Sequence, residues 1–252
     1  MLVFVVPLQS MTVSNSWERV SQLFERCMQS VCQQTSRHFQ VIVACHEKPL
    51  ITFNHSQISY LEVDFPVPDI TSGTADEIIN QKRVDRGRKQ LKGLVAAQEF
   101  NPTHTMLLDA DDLVSKRLAE LVYQNPDANG WFCKQGYRYT PGNRWIYRKS
   151  NNFHTMCGSC NILRYDLNKI PENPEYNRGY GYYKFYIDHA KVVKLLAAAG
   201  TPLKALPFLG AVYVTQTGEN TYFDTSRLYQ GIGRYINYRL ITRSLKEEFK
   251  LQ

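Results

Sequence analysis

Four short apolar runs in the first half of the chain constrain the fold more than any other feature. Leu2–Val6, Phe39–Ala44, Ile58–Val63 and His104–Leu108 are rich in β-branched and aromatic residues and have the length of strands. A strand that is buried on both faces gives a nearly continuous apolar run, as in parallel sheets covered by helices. The four runs therefore predict a mostly parallel sheet with helices packed on it.

Two helices are predicted between these strands. Asn15 and Glu18 form a capping-box pattern ahead of apolar residues at helical spacing, which predicts a helix with one apolar face. Thr74 and Glu77 form a second capping-box pattern, which opens a polar, basic segment that becomes apolar toward its end. The predicted order is therefore β-α-β-β-α-β, in which strands alternate with helices as in α/β proteins.

The second half of the chain has a different pattern. Gly130–Arg148 mixes aromatic, polar and basic residues with Gly and Pro, which favours twisted, partly antiparallel strands. Gly158–Arg164 and Phe208–Val214 are predicted as further strands, and Lys184–Ala199 and Ser226–Phe249 as helices. Because there is no internal repeat and no low-complexity linker, we expect all 252 residues to form one continuous α/β domain.

Charge and composition exclude few classes of function. The chain has 30 Lys and Arg residues against 23 Asp and Glu residues, spread along the sequence rather than packed into one run. Such an excess is compatible with an anionic substrate, nucleic acid, a membrane face or an ordinary surface, and we expect no nucleic-acid partner. No stretch has the length of a transmembrane helix, and the apolar N-terminus lacks the basic leader of a signal peptide. The six scattered cysteines are then expected to be reduced thiols of a cytoplasmic protein.

The acidic tetrapeptide Asp-Ala-Asp-Asp at 109–112 directly follows the fourth predicted strand. Open α/β sheets bind ligands at the carboxyl ends of their strands. Residues at i and i+2 of an extended segment point to the same side, so Asp109 and Asp111 can share one divalent cation. Mg²⁺ or Mn²⁺ held by one or two carboxylates and by phosphate oxygens is the usual arrangement at nucleotide sites.

The same acidic residues have a structural alternative. Carboxylates that follow a strand often cap the next helix, because their oxygens accept hydrogen bonds from the free N–H groups of its first turn. Here Asp112 or Ser115 could cap a helix predicted over Lys116–Tyr123.

The order and spacing of these elements resemble the front half of GT-A glycosyltransferases, most closely the inverting, family-2-like enzymes. The resemblance covers roughly residues 2–115. It rests on a first strand ending in Pro, a capped helix, a second strand followed by an acidic residue, and a basic segment leading to a strand with an Asp-x-Asp tip. It implies a Rossmann-like GT-A domain in which 1–115 binds the nucleotide sugar and 116–252 forms a partly antiparallel acceptor-binding half. The implied reaction is the metal-dependent transfer of a sugar from a UDP- or GDP-linked donor to an acceptor hydroxyl, with inversion.

The resemblance also implies roles for single residues. Asp109 and Asp111 would be the Asp-x-Asp pair that holds Mn²⁺ or Mg²⁺, with Asp111 the main metal ligand and Asp109 also in contact with the donor. For the basic residues of the nucleotide site, a solvated helix face is the alternative. The positions expected beside the nucleotide are Pro7, Leu8 and Gln9 after the first strand, His46 or Glu47 after the second, Arg83, Arg86 and Lys89 in the basic segment, and Asp109 and Ala110 at the tip.

An inverting enzyme also needs a general base that takes the proton of the acceptor hydroxyl. Asp188 matches the acidic pair of the family and is the first candidate, with His189 second because a His replaces one acidic residue. The alternative for Asp188 is a place in the first turn of a helix, where the helix dipole favours a carboxylate. Glu219 or Asn220 could contact metal or phosphate after a late strand, where the family often has a His.

Two of the cysteines have a spacing that also occurs in redox motifs. Cys157 and Cys160 are followed by a predicted strand instead of the helix that such a motif opens, so we do not expect a redox role. A zinc site that combines them with Cys27 and Cys32 has short spacings and no further support. In the resemblance, the Gly158–Ser159 pair would lie where the acceptor-side loop approaches the donor sugar.

Two other functions remain compatible with the sequence. A phosphohydrolase of the haloacid-dehalogenase type also has Asp-x-Asp at a strand tip, but it needs that tip on an early strand, whereas here it follows about four strands. A degenerate GT-A domain that binds a sugar or a protein partner is the other, because the late His is missing and the acidic pair is irregular.

The sequence leaves the acceptor, the sugar, the base and the oligomeric state open. The resemblance implies a saccharide or a lipid-linked acceptor. The basic and apolar residues of Arg234–Lys250 could contact an anionic membrane, although an ordinary surface helix is the alternative. We therefore expect a cytoplasmic protein, with peripheral contact at the inner face of a membrane as an option.

Overall fold

The computed structural model describes residues 1–173, 179–219 and 236–251. Within these residues the chain forms twelve strands and six α-helices. The strands are β1 (Leu2–Pro7), β2 (Phe39–Cys45), β3 (Ile58–Glu62), β4 (His104–Leu107), β5 (Leu113–Val114), β6 (Gly130–Phe132), β7 (Gly136–Tyr139), β8 (Trp145–Lys149), β9 (Asn161–Arg164), β10 (Lys204–Ala205), β11 (Ala211–Val214) and β12 (Tyr238–Leu240). The helices are α1 (Trp17–Val31), α2 (Ala75–Ala97), α3 (Leu118–Gln124), α4 (Tyr180–Ile187), α5 (His189–Ala198) and α6 (Arg243–Phe249).

Seven strands form a central sheet in the order β10-β6-β9-β4-β1-β2-β3. Within it β9 runs antiparallel to both of its neighbours, and the remaining pairs are parallel. A smaller sheet has the order β12-β8-β7-β11-β5 and is antiparallel except for the pair of β7 and β11. The predicted fold class, a mostly parallel central sheet with a smaller antiparallel region, is confirmed.

The order in which successive strands join the central sheet reverses at β1. The chain leaves β1 through α1 to β2 and β3 on one side, and it returns through α2 to β4 on the other side of β1. Such a reversal is a topological switch point, and the crevice outside the carboxyl ends of the two strands is the usual ligand position. Pro7 ends β1 and Leu107 ends β4, so the segments that follow these two strands face one crevice.

β1 distributes its buried side chains between two cores. Phe4 belongs to a cluster with Phe24 of α1 on one face of the central sheet. Val5 belongs to a cluster with Leu91 of α2 and Tyr183 of α4 on the other face. Successive side chains of a strand point to opposite faces, so a strand between two helical layers must be apolar at every position.

The helix starts confirm one predicted cap and correct two others. The capping box at 74–77 is present at the start of α2. α1 is capped by Ser16, whose Oγ accepts a hydrogen bond from the Arg19 N–H at 3.2 Å, so the prediction of Asn15 as the cap is wrong. α3 starts at Leu118 without a side-chain cap, so neither Asp112 nor Ser115 is its cap.

The later elements are shorter or more broken than predicted. The helix predicted over Lys184–Ala199 is two helices, α4 and α5, which meet at Asp188. The strand predicted over Phe208–Val214 begins only at Ala211. The strand predicted from Gly158 begins at Asn161, because the preceding residues form a loop that contacts the tip of β4.

The predicted helix Ser226–Phe249 is correct only over α6 in the part that the structure describes. Residues 236–249 contain β12, which pairs with β8, and the short helix α6. Residues 226–235 of that prediction lie outside the described residues. The argument for membrane contact rested on one basic amphipathic helix, which residues 236–250 do not form. No helix in the described part of the chain is long and apolar enough to cross a bilayer.

The packing of α2 on β1 gives a test of the fold. A Cβ at Gly93 would overlap Cγ1 of Val5, whereas a Cβ at Gly181 of α4 would meet nothing within 4 Å. We expect Gly93→Ala to lower the free energy of unfolding by about 1–3 kcal/mol through overpacking. The matched change Gly181→Ala should leave it unchanged or raise it by up to about 1 kcal/mol, as in an open helical position. Urea denaturation measures both, and equal effects would contradict the close contact.

Candidate functional site

A cavity of about 270 Å³ opens at the switch point between β1 and β4. Pro7, Leu8 and Gln9 line it from the end of β1, and 109–111 line it from the end of β4, as the topology requires. The remaining lining residues are Val13, Val20 and Leu23 around α1, Lys82, Asp85, Arg86 and Lys89 on α2, and Met156, Gly158, His189, Tyr213 and Glu219 from the second half of the chain. The cavity therefore combines apolar groups from the α1 side with charged groups from α2 and the acidic tip.

Asp109 is held from two sides. Its carboxylate forms an ion pair with the guanidinium of Arg86 on α2. Its main-chain N–H donates to Oγ of Ser159 at 2.9 Å. A Cβ at Gly158 would overlap Oδ2 of Asp109 and lie 2.6 Å from Nη2 of Arg86, so only glycine leaves room for this ion pair. The structure thus brings together Asp109, Arg86 and the 158–159 pair, which the sequence placed near the donor.

Asp111 is the second cavity-lining carboxylate of the tip. Burial, and then repulsion from the neighbouring Asp109, raise the pKa of Asp111 to about 7. Arg86 and Arg26 act in the opposite direction but only in part. A cation bound beside Asp111 would lower this pKa again, because an opposite charge nearby favours the ionised form of a carboxylate.

Asp112, in contrast, is a buried structural residue. Its Oδ1 accepts a hydrogen bond from the Val214 N–H of β11 at 2.9 Å, and its Oδ2 accepts one from the Ser159 hydroxyl at 2.7 Å. Burial raises the pKa of Asp112 well above its ordinary value, and the Asp111 carboxylate raises it further. The helix-cap prediction for Asp112 is wrong, because its partners lie in the second sheet and in the loop before β9.

The acidic tip fits a divalent cation that takes its other ligands from a phosphate. Asp109 and Asp111 both line the cavity and supply hard oxygen donors. Within the described residues no group of three or more His, Cys, Asp or Glu side chains could hold a metal ion. A cation here would therefore depend on ligand oxygens, as is common for Mg²⁺ and Mn²⁺ at nucleotide sites.

Lys89 has a structural role in the cavity wall. It is fully buried, and its Nζ donates to the Leu8 carbonyl and to Oδ2 of Asp85, each at 2.8 Å. These contacts tie α2 to the end of β1. The other oxygen of Asp85, Oδ1, has no hydrogen-bond partner among the described residues and belongs to a cavity-lining side chain. Sequence reasoning assigned no role to Asp85, although its i, i+4 spacing to Lys89 is a signal of pairing on a helix.

The two candidates after β2 do not line the cavity. The ring of His46 donates from Nε2 to the Phe65 carbonyl at 2.8 Å. Its Nε2 lies 4.0 Å from Oδ1 of Asp85, so it stands behind that carboxylate. Glu47 accepts a hydrogen bond from the main-chain N–H of Met11 and thereby holds the loop after β1. Asp85 of α2, unlike Glu47, lines the cavity.

Glu219 closes the cavity from the late loop. Its carboxylate accepts hydrogen bonds from the main-chain N–H groups of Asn15 at 3.0 Å and Ser16 at 2.8 Å, and from Nε2 of Gln9 at 2.8 Å. The carboxylate thus joins the late loop to the segment between β1 and α1. Asn220, the other candidate of this loop, lies outside the described residues.

A second cavity of about 300 Å³ adjoins the first. The two cavities share Lys82, Arg86 and His189. Arg83 and Asp188 line only the second cavity, where Oδ2 of Asp188 lies 3.3 Å from Nζ of Lys191. Of the three basic residues predicted for one face of α2, Arg83 therefore lines the second cavity, Arg86 lines both cavities and Lys89 lines only the first.

His189 stands at the junction of the two cavities. Burial lowers the pKa of His189, and the nearby Arg86 lowers it further, which favours the neutral imidazole. Both ring nitrogens are buried, and contacts with the backbone carbonyls of Ile187 and Thr155 act against this lowering of the pKa. A neutral imidazole has one nitrogen that can accept a proton, so His189 has the chemistry of a base in addition to its position.

The cysteines are free thiols in this structure. Cys157 and Cys160 are fully buried, and burial raises the pKa of each well above the ordinary value for a thiol. Cys157 donates from Sγ to Oδ2 of Asp112 at 3.3 Å. A buried thiol with a raised pKa is a poor nucleophile and metal ligand, so these residues pack the loop before β9.

No protein-family model matches this chain, and no curated protein is similar to it in sequence. Among solved structures, TarS of S. aureus is 11% identical with a TM-score of 0.47, and the match covers 85% of this chain and 36% of TarS. The bifunctional IspDF of Campylobacter jejuni is 13% identical with a TM-score of 0.37, over 85% of this chain and 48% of that protein. Rv0371c of Mycobacterium tuberculosis H37Rv is 11% identical with a TM-score of 0.36, over 85% and 88% of the two chains. The chain thus spans less than half of the first two proteins, and these distant likenesses assign no activity to it.

The buried contacts of Asp112 predict a large effect on stability. Asp112→Ala leaves the Val214 N–H and the Ser159 hydroxyl without their acceptor, and we expect a loss of about 2–4 kcal/mol in the free energy of unfolding. Asp112→Asn keeps an acceptor oxygen toward β11 and should cost less than Asp112→Ala. The exposed control Asp127→Ala should change stability by less than about 0.5 kcal/mol. Urea denaturation of the three variants measures this order, and an Asp112→Ala protein as stable as the control would contradict the network.

Proposed function

We propose that the protein is a glycosyltransferase of GT-A type that uses a nucleotide-diphosphate sugar, with UDP or GDP as the nucleotide, and Mn²⁺ or Mg²⁺. One observation carries the proposal: two carboxylates, Asp109 and Asp111, lie with the cationic Arg86 in the crevice at the switch point between β1 and β4. A metal-bound diphosphate needs both signs of charge in one place, since carboxylates bind the metal and cations contact the phosphates.

Each wall of the cavity suits a different part of such a donor. Leu8 and Val20 give an apolar surface on the α1 side for the face of a nucleobase. Asp85 also lines this cavity, and its carboxylate group is the acceptor on this side for a ribose hydroxyl or a base N–H. Arg86 and Asp111 lie at the other end, where the diphosphate would be held. Asp85 would then have the role that the resemblance implied for His46 or Glu47.

The chemistry of transfer then follows from the charged groups. A divalent metal held by Asp111 and Asp109 would supply positive charge for the departing diphosphate. Arg86, fixed by its contact with Asp109, adds a cation that needs no reorganisation during the reaction. The acceptor oxygen forms a bond to the anomeric carbon while the bond from that carbon to the diphosphate oxygen breaks. The nucleoside diphosphate leaves with the electron pair of the broken bond, and the hydroxyl proton passes to the base.

His189 is supported as the base over Asp188. His189 lines both cavities, so it stands between the donor cavity and the space from which an acceptor would approach. Asp188 lines only the second cavity and is engaged by Lys191. A base must reach the hydroxyl that attacks the donor, so the residue at the junction has the better position.

A sugar- or partner-binding domain without transferase activity is the second candidate. The ion pair with Arg86 already neutralises one of the two carboxylates, which favours ligand binding without a metal. Turnover separates the two functions: release of sugar from a radiolabelled sugar nucleotide, even as slow hydrolysis, supports the transferase, and its complete absence with bound nucleotide supports the binding domain.

The donor site predicts stabilisation by nucleotide and metal together. A ligand at 100 times its Kd adds about 2.7 kcal/mol, which for a chain of this size raises the Tm by roughly 5–10 °C. We expect this shift with UDP or GDP plus Mn²⁺ or Mg²⁺ in a thermal melt. Asp111→Asn should abolish it, whereas the exposed control Asp127→Asn should retain it. An unchanged Tm of the wild type with every nucleoside diphosphate would falsify the proposal.

The position of His189 predicts a split between binding and turnover. We expect His189→Ala to lower the kcat of sugar-nucleotide hydrolysis by about 10²- to 10³-fold, because the proton acceptor is lost. Its Kd for nucleoside diphosphate with metal, measured by calorimetry, should stay within about twofold of the wild type. Asp188→Asn should lower kcat by less than about tenfold. A larger loss in Asp188→Asn than in His189→Ala would return the role of base to Asp188.

A further inference from the structure

The walls of the second cavity carry more positive than negative charge. Lys82, Arg83 and Arg86 reach it from α2, and Lys191 reaches it from α5. Asp188 is the carboxylate among its lining residues. Arg86 is paired with Asp109 and Lys191 with Asp188, so these four cations outnumber the neighbouring carboxylates by two. A cavity with such an excess, on two different helices, raises the local concentration of anions.

The first turn of α5 adds to this charge. Asp188, His189, Ala190 and Lys191 line the cavity, so the helix begins at its wall. α5 has no side-chain N-cap hydrogen bond. The N–H groups of a first turn carry partial positive charge and favour anions, and phosphate is a common ligand there.

The composition of the lining argues against a neutral sugar as the main ligand. The described lining residues include no Phe, Tyr or Trp, whose faces suit the apolar surface of a sugar ring. Ile187 and Ala190 are its apolar members, and Thr155 its neutral polar one. Arginine and lysine, in contrast, are the side chains that recognise phosphate, arginine through two parallel hydrogen bonds.

The position of the cavity defines the role of its ligand. It shares Lys82, Arg86 and His189 with the donor cavity, so a molecule bound there lies beside the donor and within reach of the proposed base. Asp109 and Asp111 line the first cavity and not the second, so the second cavity has no share in the carboxylates that would hold the metal.

We propose that the second cavity binds the phosphate group of the acceptor, and that the acceptor is a phosphorylated sugar or polyol whose hydroxyl faces His189. The proposal rests on the proposed function, because it names the acceptor class of that transferase. A phosphate monoester and a phosphodiester offer the same chemistry to Arg83 and Lys191, and they differ in charge.

The test is calorimetric titration of protein already saturated with Mg²⁺ and the nucleoside diphosphate that binds. The probes are glycerol 3-phosphate as the monoester, glycerophosphoglycerol as the diester and glycerol as the uncharged control. We expect at least one phosphate probe to bind and glycerol not to bind. Arg83→Gln and Lys191→Gln should each weaken phosphate binding by about ten- to a hundredfold, the usual effect of losing one hydrogen bond to a charged group.

Two matched variants control for a general loss of charge. Lys194→Gln removes a lysine one turn further along α5, and Arg144→Gln removes an exposed arginine between β7 and β8. Neither residue lines either cavity, so both variants should bind the phosphate probe within about twofold of the wild type. Equal weakening in the controls would mean that net charge, and not this cavity, attracts the probe.

The outcomes separate this inference from the proposed function. The acceptor site is overturned if the protein binds nucleotide but neither phosphate probe. It is also overturned if the Arg83→Gln Lys191→Gln double variant binds the probe as the wild type does. Both results leave the proposed transferase function intact. Phosphate binding that occurs only without nucleotide shows that the anion occupies the donor cavity, and it also overturns the inference. A protein that binds no nucleoside diphosphate at all loses the proposed function, and the acceptor role falls with it.

Discussion

The buried carboxyl group of Asp112 is the contact on which the site depends. It accepts a hydrogen bond from the Val214 N–H of the second sheet and another from the Ser159 hydroxyl. The same hydroxyl accepts from the main-chain N–H of Asp109, so the tip of β4, the loop before β9 and β11 are fixed to one group. Burial of a polar group is tolerated when hydrogen bonds satisfy it, as they do here, although burial still raises the pKa of Asp112. This network fixes the tip from which Asp109 and Asp111 face the crevice.

The fold of the first half followed from local signals, and that of the second half did not. β1, β4 and the capping box at 74–77 are set by residues a few positions apart, so patterns of apolar and capping residues predicted them. Asp112 meets Val214 at a separation of 102 residues, and Glu219 meets Gln9 at a separation of 210. No local pattern encodes such contacts, so the sequence alone offers a helix cap as the structural alternative for Asp112.

The basic segment shows what helical periodicity predicts and what it does not. Arg83, Arg86 and Lys89 do lie on one helix, as the sequence predicted. Their environments differ because successive turns of α2 pack against different parts of the protein. Lys89 is fully buried against β1, Arg86 forms an ion pair with Asp109 at the crevice, and Arg83 lines the second cavity. The spacing of residues sets the direction in which each side chain points around the helix axis, whereas the burial of that side chain depends on what packs against the helix. One predicted surface therefore supplies a structural tie, a donor-site cation and a wall of the second cavity.

The break between α4 and α5 has a physical consequence that a continuous helix would lack. In one helix over 184–199, the N–H groups near His189 would bond to the preceding turn and carry no free partial charge. The backbone of Asp188 instead leaves the helical region, with φ −82° and ψ 59°, so a new helix begins at the wall of the second cavity. α4 stays packed on α2, where a Cβ at Gly87 would lie 2.6 Å from the Cβ of Tyr183. The break thus turns the interior of a predicted helix into a positive helix end beside His189, and the electrostatics of the second cavity depend on it.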